Sequence, residues 1–114
     1  MITHGGLNTV MDALAAGVPI ATVPIGFEQG AIAARVAYRG VGLQVGRPRT
    51  AARLARAMGE IVEGSSFQAK AAALALEIAA AGGVTRAADI VETVLRTGRP
   101  VPSVAAPASE RRLV

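Results

Sequence analysis

A chain of 114 residues is the size of one small domain, large enough to bury about two thirds of its unfolded surface. Its 52% hydrophobic content comes mostly from Ala, Val, Leu and Ile, and the aromatics are Phe27, Tyr38 and Phe67 alone, so the core is one of small aliphatic side chains. Eleven arginines and one lysine against eight acids leave a charge of +4, which suits an anionic partner, yet the scattered arginines and three isolated aromatics give no stacking platform and argue against nucleic acid.

Glycine and proline divide the chain into segments whose periodicity alternates between strand and helix. Met1 to Thr3 reads as the end of a strand, His4-Gly5-Gly6 as a turn, and a helix begins near Leu7. Leu7, Val10, Met11, Leu14 and Ala15 are spaced to form one apolar face. Gly17 is placed to cap this helix, and Ile20 to Val23 is β-branched enough to be a buried strand. After the loop Ile25 to Glu28, a second helix runs from Gln29 to Arg39, burying Ile32 and Val36, and Gly40 stops it.

Val41 to Val45 is a third short strand. Thr50 is a good N-cap for a helix from Ala51 to about Glu63, and Ser66 for another from Phe67 to Ala81. Gly82-Gly83 breaks the chain before a last helix, Val84 to Thr97, with Ala87, Ile90, Val91 and Val94 as its buried face. Residues 1–97 thus form an α/β domain with a partial Rossmann-like parallel sheet. The Pro-rich stretch 98–114 reads as a disordered or docking tail, because little in it buries enough area to offset ordering entropy.

No cysteine is present and His4 is the single histidine, so disulfides, thiolate sites and histidine clusters for metals are excluded. No apolar run approaches the ~20 residues of a membrane span, and no basic segment precedes an apolar stretch at the N-terminus. The reading is a soluble, cytoplasmic protein without a resident cofactor or metal.

A strand running through His-Gly-Gly into a helix is how open α/β sheets bind anions, because unpaired backbone N–H groups at the helix start point at the ligand. Asn8 and Thr9 add side-chain donors in the first turn, so the site suits a diphosphate. Asp12, one turn further, suits the vicinal hydroxyls of a ribose. Glu28 and Gln29 fall in the loop after the next strand, on the same rim, where an acid and an amide can grip sugar hydroxyls. Each of these has a plainer reading beside it: Asn8 and Thr9 as helix caps, Asp12 as a solvated helix residue, Glu28 and Gln29 as a helix start. Arg49, Arg53 and Arg56 share a helical face that reads as solvated more readily than as a phosphate site. His-Gly-Gly also occurs as an esterase oxyanion loop, which needs a nucleophile elbow and a second histidine that the chain lacks.

The run His4-Gly5-Gly6-Leu7-Asn8-Thr9-Val10-Met11-Asp12-Ala13-Leu14, then Ala16-Gly17-Val18-Pro19, Val23-Pro24 and Glu28-Gln29, resembles the signature of family 1 glycosyltransferases of the GT-B fold, the macrolide and antibiotic enzymes most of all. The resemblance continues through Ala33-Ala34-Arg35-Val36 and Gly40-Val41-Gly42-Leu43 into the last helices. It implies a C-terminal donor-binding part, with His4, Gly6, Asn8 and Thr9 on the donor diphosphate, Asp12 on ribose, and Glu28 and Gln29 on the transferred sugar. Asp12 stands where many such enzymes have Glu, and Glu28 where Asp is commoner. The implied reaction is inverting transfer from a nucleotide diphosphate-sugar to an acceptor hydroxyl, without a metal. The acceptor domain and its catalytic base are absent from these residues, so the chain alone is expected to be inactive. Alternatives are a non-catalytic subunit completing a split transferase through a separate acceptor-domain chain, and a truncated remnant. An exposed sheet edge open to self-association is expected with either.

Overall fold

The structure, a computed structural model, describes residues 1–102. Most of the expected tail lies outside the described residues. Three strands, β1 (Ile2–Thr3), β2 (Ile20–Thr22) and β3 (Gly42–Gln44), alternate with helices α1 (Leu7–Ala15) and α2 (Gln29–Tyr38). They are followed by α3 (Ala51–Glu63), α4 (Ser65–Ala80) and α5 (Gly83–Thr97). The strands pair in parallel in the order β1-β2-β3, with Ile2 opposite Ala21 and Ile20 opposite Gly42. Each strand is shorter by one or two residues than the apolar run that announces it. Val41 and Val45 flank β3 and are buried all the same.

The chain forms two compact units, one of residues 1–80 and one beginning at Ala81. In the first, α1 packs on α4, α2 on β2 and β3, and α3 on β2, β3 and α4. Val10, Ala13, Leu14, Ile20, Val36, Val41 and Ala71 make one apolar cluster. Side-chain alternation puts Ala21 on the other face of β2 from Ile20. Both are fully buried, so the central strand is covered on both sides, as parallel sheets require. Burying a side chain the size of Ile20 contributes about 1.5–3 kcal/mol.

Helices α1 and α2 end alike. Gly17 N–H donates to Leu14 C=O at 3.0 Å and Val18 N–H to Ala13 C=O at 2.9 Å, and the same pair recurs as Gly40 to Ala37 at 3.0 Å and Val41 to Val36 at 3.2 Å. These are Schellman closures, which need a left-handed residue, and Gly17 and Gly40 have φ of 67° and 64°. A Cβ on Gly17 would meet Ala72 Cα at an ordinary 3.5 Å, so its cost is conformational. Gly17→Ala is expected to lower stability by about 1–2 kcal/mol, and Gly17→Asn by less, because Asn tolerates this conformation. Urea unfolding of both variants checks it, and equal stability of Gly17→Ala and the parent would remove the argument.

Two side-chain bonds fasten α4 to the first two helices: Gln68 Nε2 donates to Gly17 C=O at 3.0 Å and Arg39 Nη2 to Glu77 Oε2 at 3.0 Å. The second is a solvent-exposed ion pair, worth at most about 1 kcal/mol.

Several expectations change. Leu7 and Met11 are 56% and 42% exposed, and Ala15 is exposed too; Ala13, outside the expected stripe, is buried instead because the face of α1 is turned toward α4 and Ile20. Ser66 caps nothing, since α4 starts at Ser65 directly after Gly64. Thr50 does cap α3, accepting from Arg53 N–H at 3.3 Å. Arg49 lies before α3 and so does not share its face with Arg53 and Arg56. In the second unit, α5 is bounded by left-handed Gly82 and Gly98, with Gly98 N–H closing on Val94 C=O at 2.8 Å. None of its residues is buried, the expected face of Ala87, Ile90, Val91 and Val94 included.

The sheet edge at β1 is open among the described residues. Met1 and Thr3 carbonyls accept from Ala21 and Val23 N–H, both at 2.8 Å. Alternation then turns the N–H and C=O of Ile2 away from β2. No single helix among the described residues is long and apolar enough to cross a membrane.

Candidate functional site

The turn His4-Gly5-Gly6 leaves the carboxyl end of β1 and enters α1, whose N-cap is Gly6 in an extended conformation (φ −63°, ψ 135°) with no side chain capping it. The first intrahelical bond runs from Val10 N–H to Gly6 C=O at 3.0 Å. The N–H groups of Leu7, Asn8 and Thr9 therefore have no partner within the helix. Asn8 and Thr9 lie inside the first turn and are exposed, so capping, the plainer reading of these two, is not what they do. Asp12 is exposed one turn on, at the spacing that makes it a neighbour of Asn8.

His4 is exposed, and its imidazole lies over Gly6: a Cβ built there would stand 2.8 Å from Nε2 and 3.4 Å from Cε1. The glycine thus makes room for the ring at the helix start. Thr3, the last residue of β1, is buried, and its Oγ1 accepts from Gly5 N–H at 3.3 Å. This support was missed from sequence. A threonine ending a strand two residues before a turn glycine was the available signal, since hydroxyls bond to nearby backbone in this way.

The second loop follows β2. Gln29 opens α2 and is half-buried, while Ile25, Gly26, Phe27 and Glu28 are exposed. Glu28 is the N-cap of α2, and its side chain makes no capping bond. Gln29 Oε1 accepts from Ile25 N–H at 2.9 Å and from Gly26 N–H at 3.1 Å. Arg49 Nη2 donates to Pro24 C=O at the other end of this loop, and Arg53 Nη1 to Arg47 C=O at 3.1 Å. Of Arg49, Arg53 and Arg56, the first two therefore hold backbone carbonyls.

The two loops meet. A Cβ on Gly5 would lie 3.4 Å from Gln29 C=O and 3.7 Å from Gln29 Cβ. Residues 24 positions apart in sequence, the first in the His-Gly-Gly turn and the second in the Glu-Gln pair, are in contact at the carboxyl ends of adjacent parallel strands, the rim on which open α/β sheets bind ligands. Among the described residues no cluster of three or more His, Cys, Asp or Glu side chains forms a metal-ligand set.

This architecture is shared with solved glycosyltransferases. The chain superposes on the glycosyltransferase of kitacinnamycin with a TM-score of 0.73 and 31% identity, over 81% of this chain and 24% of that one. It superposes on a spinosyn rhamnosyltransferase with a TM-score of 0.68 over 82% of this chain and 25% of the other. In sequence it is 41% identical to zeaxanthin glucosyltransferase of Pantoea ananas over 90% of this chain and 24% of that protein. It is 36% identical to 4'-demethylrebeccamycin synthase of Lentzea aerocolonigenes over 81% of this chain and 22% of that protein. The chain thus spans about a quarter of the length of these two curated relatives.

The fold is that of the C-terminal part of a GT-B glycosyltransferase of family 1. Residues 1–94 match the family described as Erythromycin biosynthesis protein CIII-like, C-terminal domain, and the chain belongs to it.

Proposed function

We propose that the chain is the donor-binding portion of a cytoplasmic enzyme that transfers a sugar from a nucleotide diphosphate-sugar to an acceptor hydroxyl with inversion. The observation that carries this reading is the contact of Gly5 with Gln29 beside the uncapped start of α1. It gives one ligand an anion-accepting end and a hydroxyl-accepting end within reach of each other. In this reading the free N–H groups of α1, with His4, Gly6, Asn8 and Thr9, hold the diphosphate. As the sugar departs, they stabilise the charge left on it, a role for which preorganised N–H donors and a helix dipole suit without a metal. Asp12 takes the ribose hydroxyls, and Glu28 and Gln29 the transferred sugar.

His4 is assigned to the leaving-group side, so the base that deprotonates the acceptor is assigned to a part of the enzyme outside this chain. General base catalysis contributes about 10²–10⁴-fold and positioning the acceptor contributes more, so negligible turnover is expected from the chain by itself. The outward N–H and C=O of Ile2 are where another strand would pair, from the same enzyme or from a second chain.

Calorimetric titration with UDP and with UDP-glucose tests the division of labour. The glucosyltransferases among the relatives make glucose a reasonable first sugar to try. Glu28→Ala is expected to leave UDP affinity unchanged and to weaken UDP-glucose by about 1–3 kcal/mol, the value of a hydrogen bond to a charged group. Equal losses for the two ligands would show that Glu28 does not face the sugar.

A further inference from the structure

The loop between β2 and α2 is held in an unusual way. Its residues Ile25, Gly26, Phe27 and Glu28 are all exposed. Phe27 is 98% exposed and sits at a φ of 53°, a left-handed conformation that is unfavourable for a non-glycine residue. Nothing in this loop is buried for the sake of the core. Its first residues are nevertheless fastened, by Arg49 on Pro24 C=O and by Gln29, whose Oε1 reaches back from the start of α2 to the N–H groups of Ile25 and Gly26. A strained, wholly exposed loop that is fastened this firmly is held for the surface it presents.

We propose that Gln29 is a positioning residue of the donor rim. Its side-chain carbonyl organises the 25–28 loop, and its NH2 group is what it offers to a ligand. The carbonyl oxygen has two acceptor sites, and both are occupied by the loop. A sugar hydroxyl meeting Gln29 must therefore act as acceptor, and hydroxyls that need an acceptor fall to the carboxylate of Glu28. This refines the donor reading above by giving the two residues opposite hydrogen-bond polarity toward the same sugar, and its second half rests on that reading.

The two parts separate experimentally because Gln29→Glu retains an acceptor for both loop N–H groups and loses the NH2, whereas Gln29→Ala loses both. Solvent exchange of the Ile25 and Gly26 amides, measured by NMR on the full chain without ligand, is expected to quicken about tenfold or more in Gln29→Ala, the loss of roughly one hydrogen bond. In Gln29→Glu it is expected to stay close to the parent. UDP-glucose affinity is expected to fall by about tenfold in both variants, and in Gln29→Glu by more than UDP affinity does, since its new carboxylate stands near the turn at Gly5. Unchanged amide exchange in Gln29→Ala would overturn the positioning role whatever happens to the sugar. UDP-glucose binding by Gln29→Glu at parental strength would overturn the assigned polarity. If the amides respond as expected while neither the parent nor any variant binds UDP-glucose, the positioning role stands and the donor reading fails.

Discussion

Gly42→Ala is expected to unfold the chain or to lower its Tm by about 15–30 °C. Gly42 pairs with Ile20 in the register of β3 on β2. A Cβ there would stand 1.9 Å from Ile20 C=O oxygen, 2.8 Å from its carbon and 2.9 Å from Val36 Cγ1. None of these can retreat. Ile20 N–H is bonded to Val41 C=O at 3.1 Å and the neighbouring Ala21 N–H to Met1 C=O at 2.8 Å, so β2 is held from both sides. Val36 is buried in the apolar cluster. Overpacking of this severity belongs with the rare substitutions that cost more than about 4 kcal/mol, which for a domain of this size converts to the stated shift at about 4–8 °C per kcal/mol. Gly46 is the control: a Cβ there meets nothing within 4 Å, and Gly46→Ala should change stability by less than about 0.5 kcal/mol. A thermal melt of Gly42→Ala within a few degrees of the parent would show that the strand spacing is not as described.

The second large effect is on binding and leaves the fold intact. Gly6→Ala keeps a backbone conformation that alanine adopts freely, so its stability should stay within about 0.5 kcal/mol of the parent. Its methyl group would displace the imidazole of His4, whose Nε2 lies 2.8 Å from that position. His4 is exposed and can swing away. Gly6→Ala is therefore expected to weaken UDP binding as much as His4→Ala does, by about 1–3 kcal/mol, the range for a hydrogen bond to a charged oxygen. Added to His4→Ala, it should cost little more, because the two substitutions remove one interaction. Calorimetry on the two single variants and the double variant measures this coupling. Additive losses would mean that the methyl group obstructs the helix N–H groups directly. Full UDP affinity in His4→Ala would remove His4 from the diphosphate site.

By itself the sequence determined the order of strands and helices, the cappings at Gly17, Gly40 and Thr50, and the turn that opens α1. These are local matters: a glycine is required where φ is positive, and a threonine caps the helix that starts beside it. The family was legible for a related reason, since the motif from His4 to Leu14 and the pairs after it form one uninterrupted local pattern. Periodicity could say that Leu7, Met11 and Leu14 share a side of α1, but not which part of that side finds a neighbour. The position of α4 and Ile20 decided that Leu14 and Ala13 are buried while Leu7 and Met11 are not. The stripe on α5 was equally regular, and none of it is buried. In the site, sequence placed both loops on one rim, but the contact of Gly5 with Gln29, the seating of His4 over Gly6 and the use of Gln29 Oε1 by the loop behind it were decided by tertiary structure. An amide reads the same in any sequence, and which of its two ends faces a ligand depends on backbone donors that the fold brings to it.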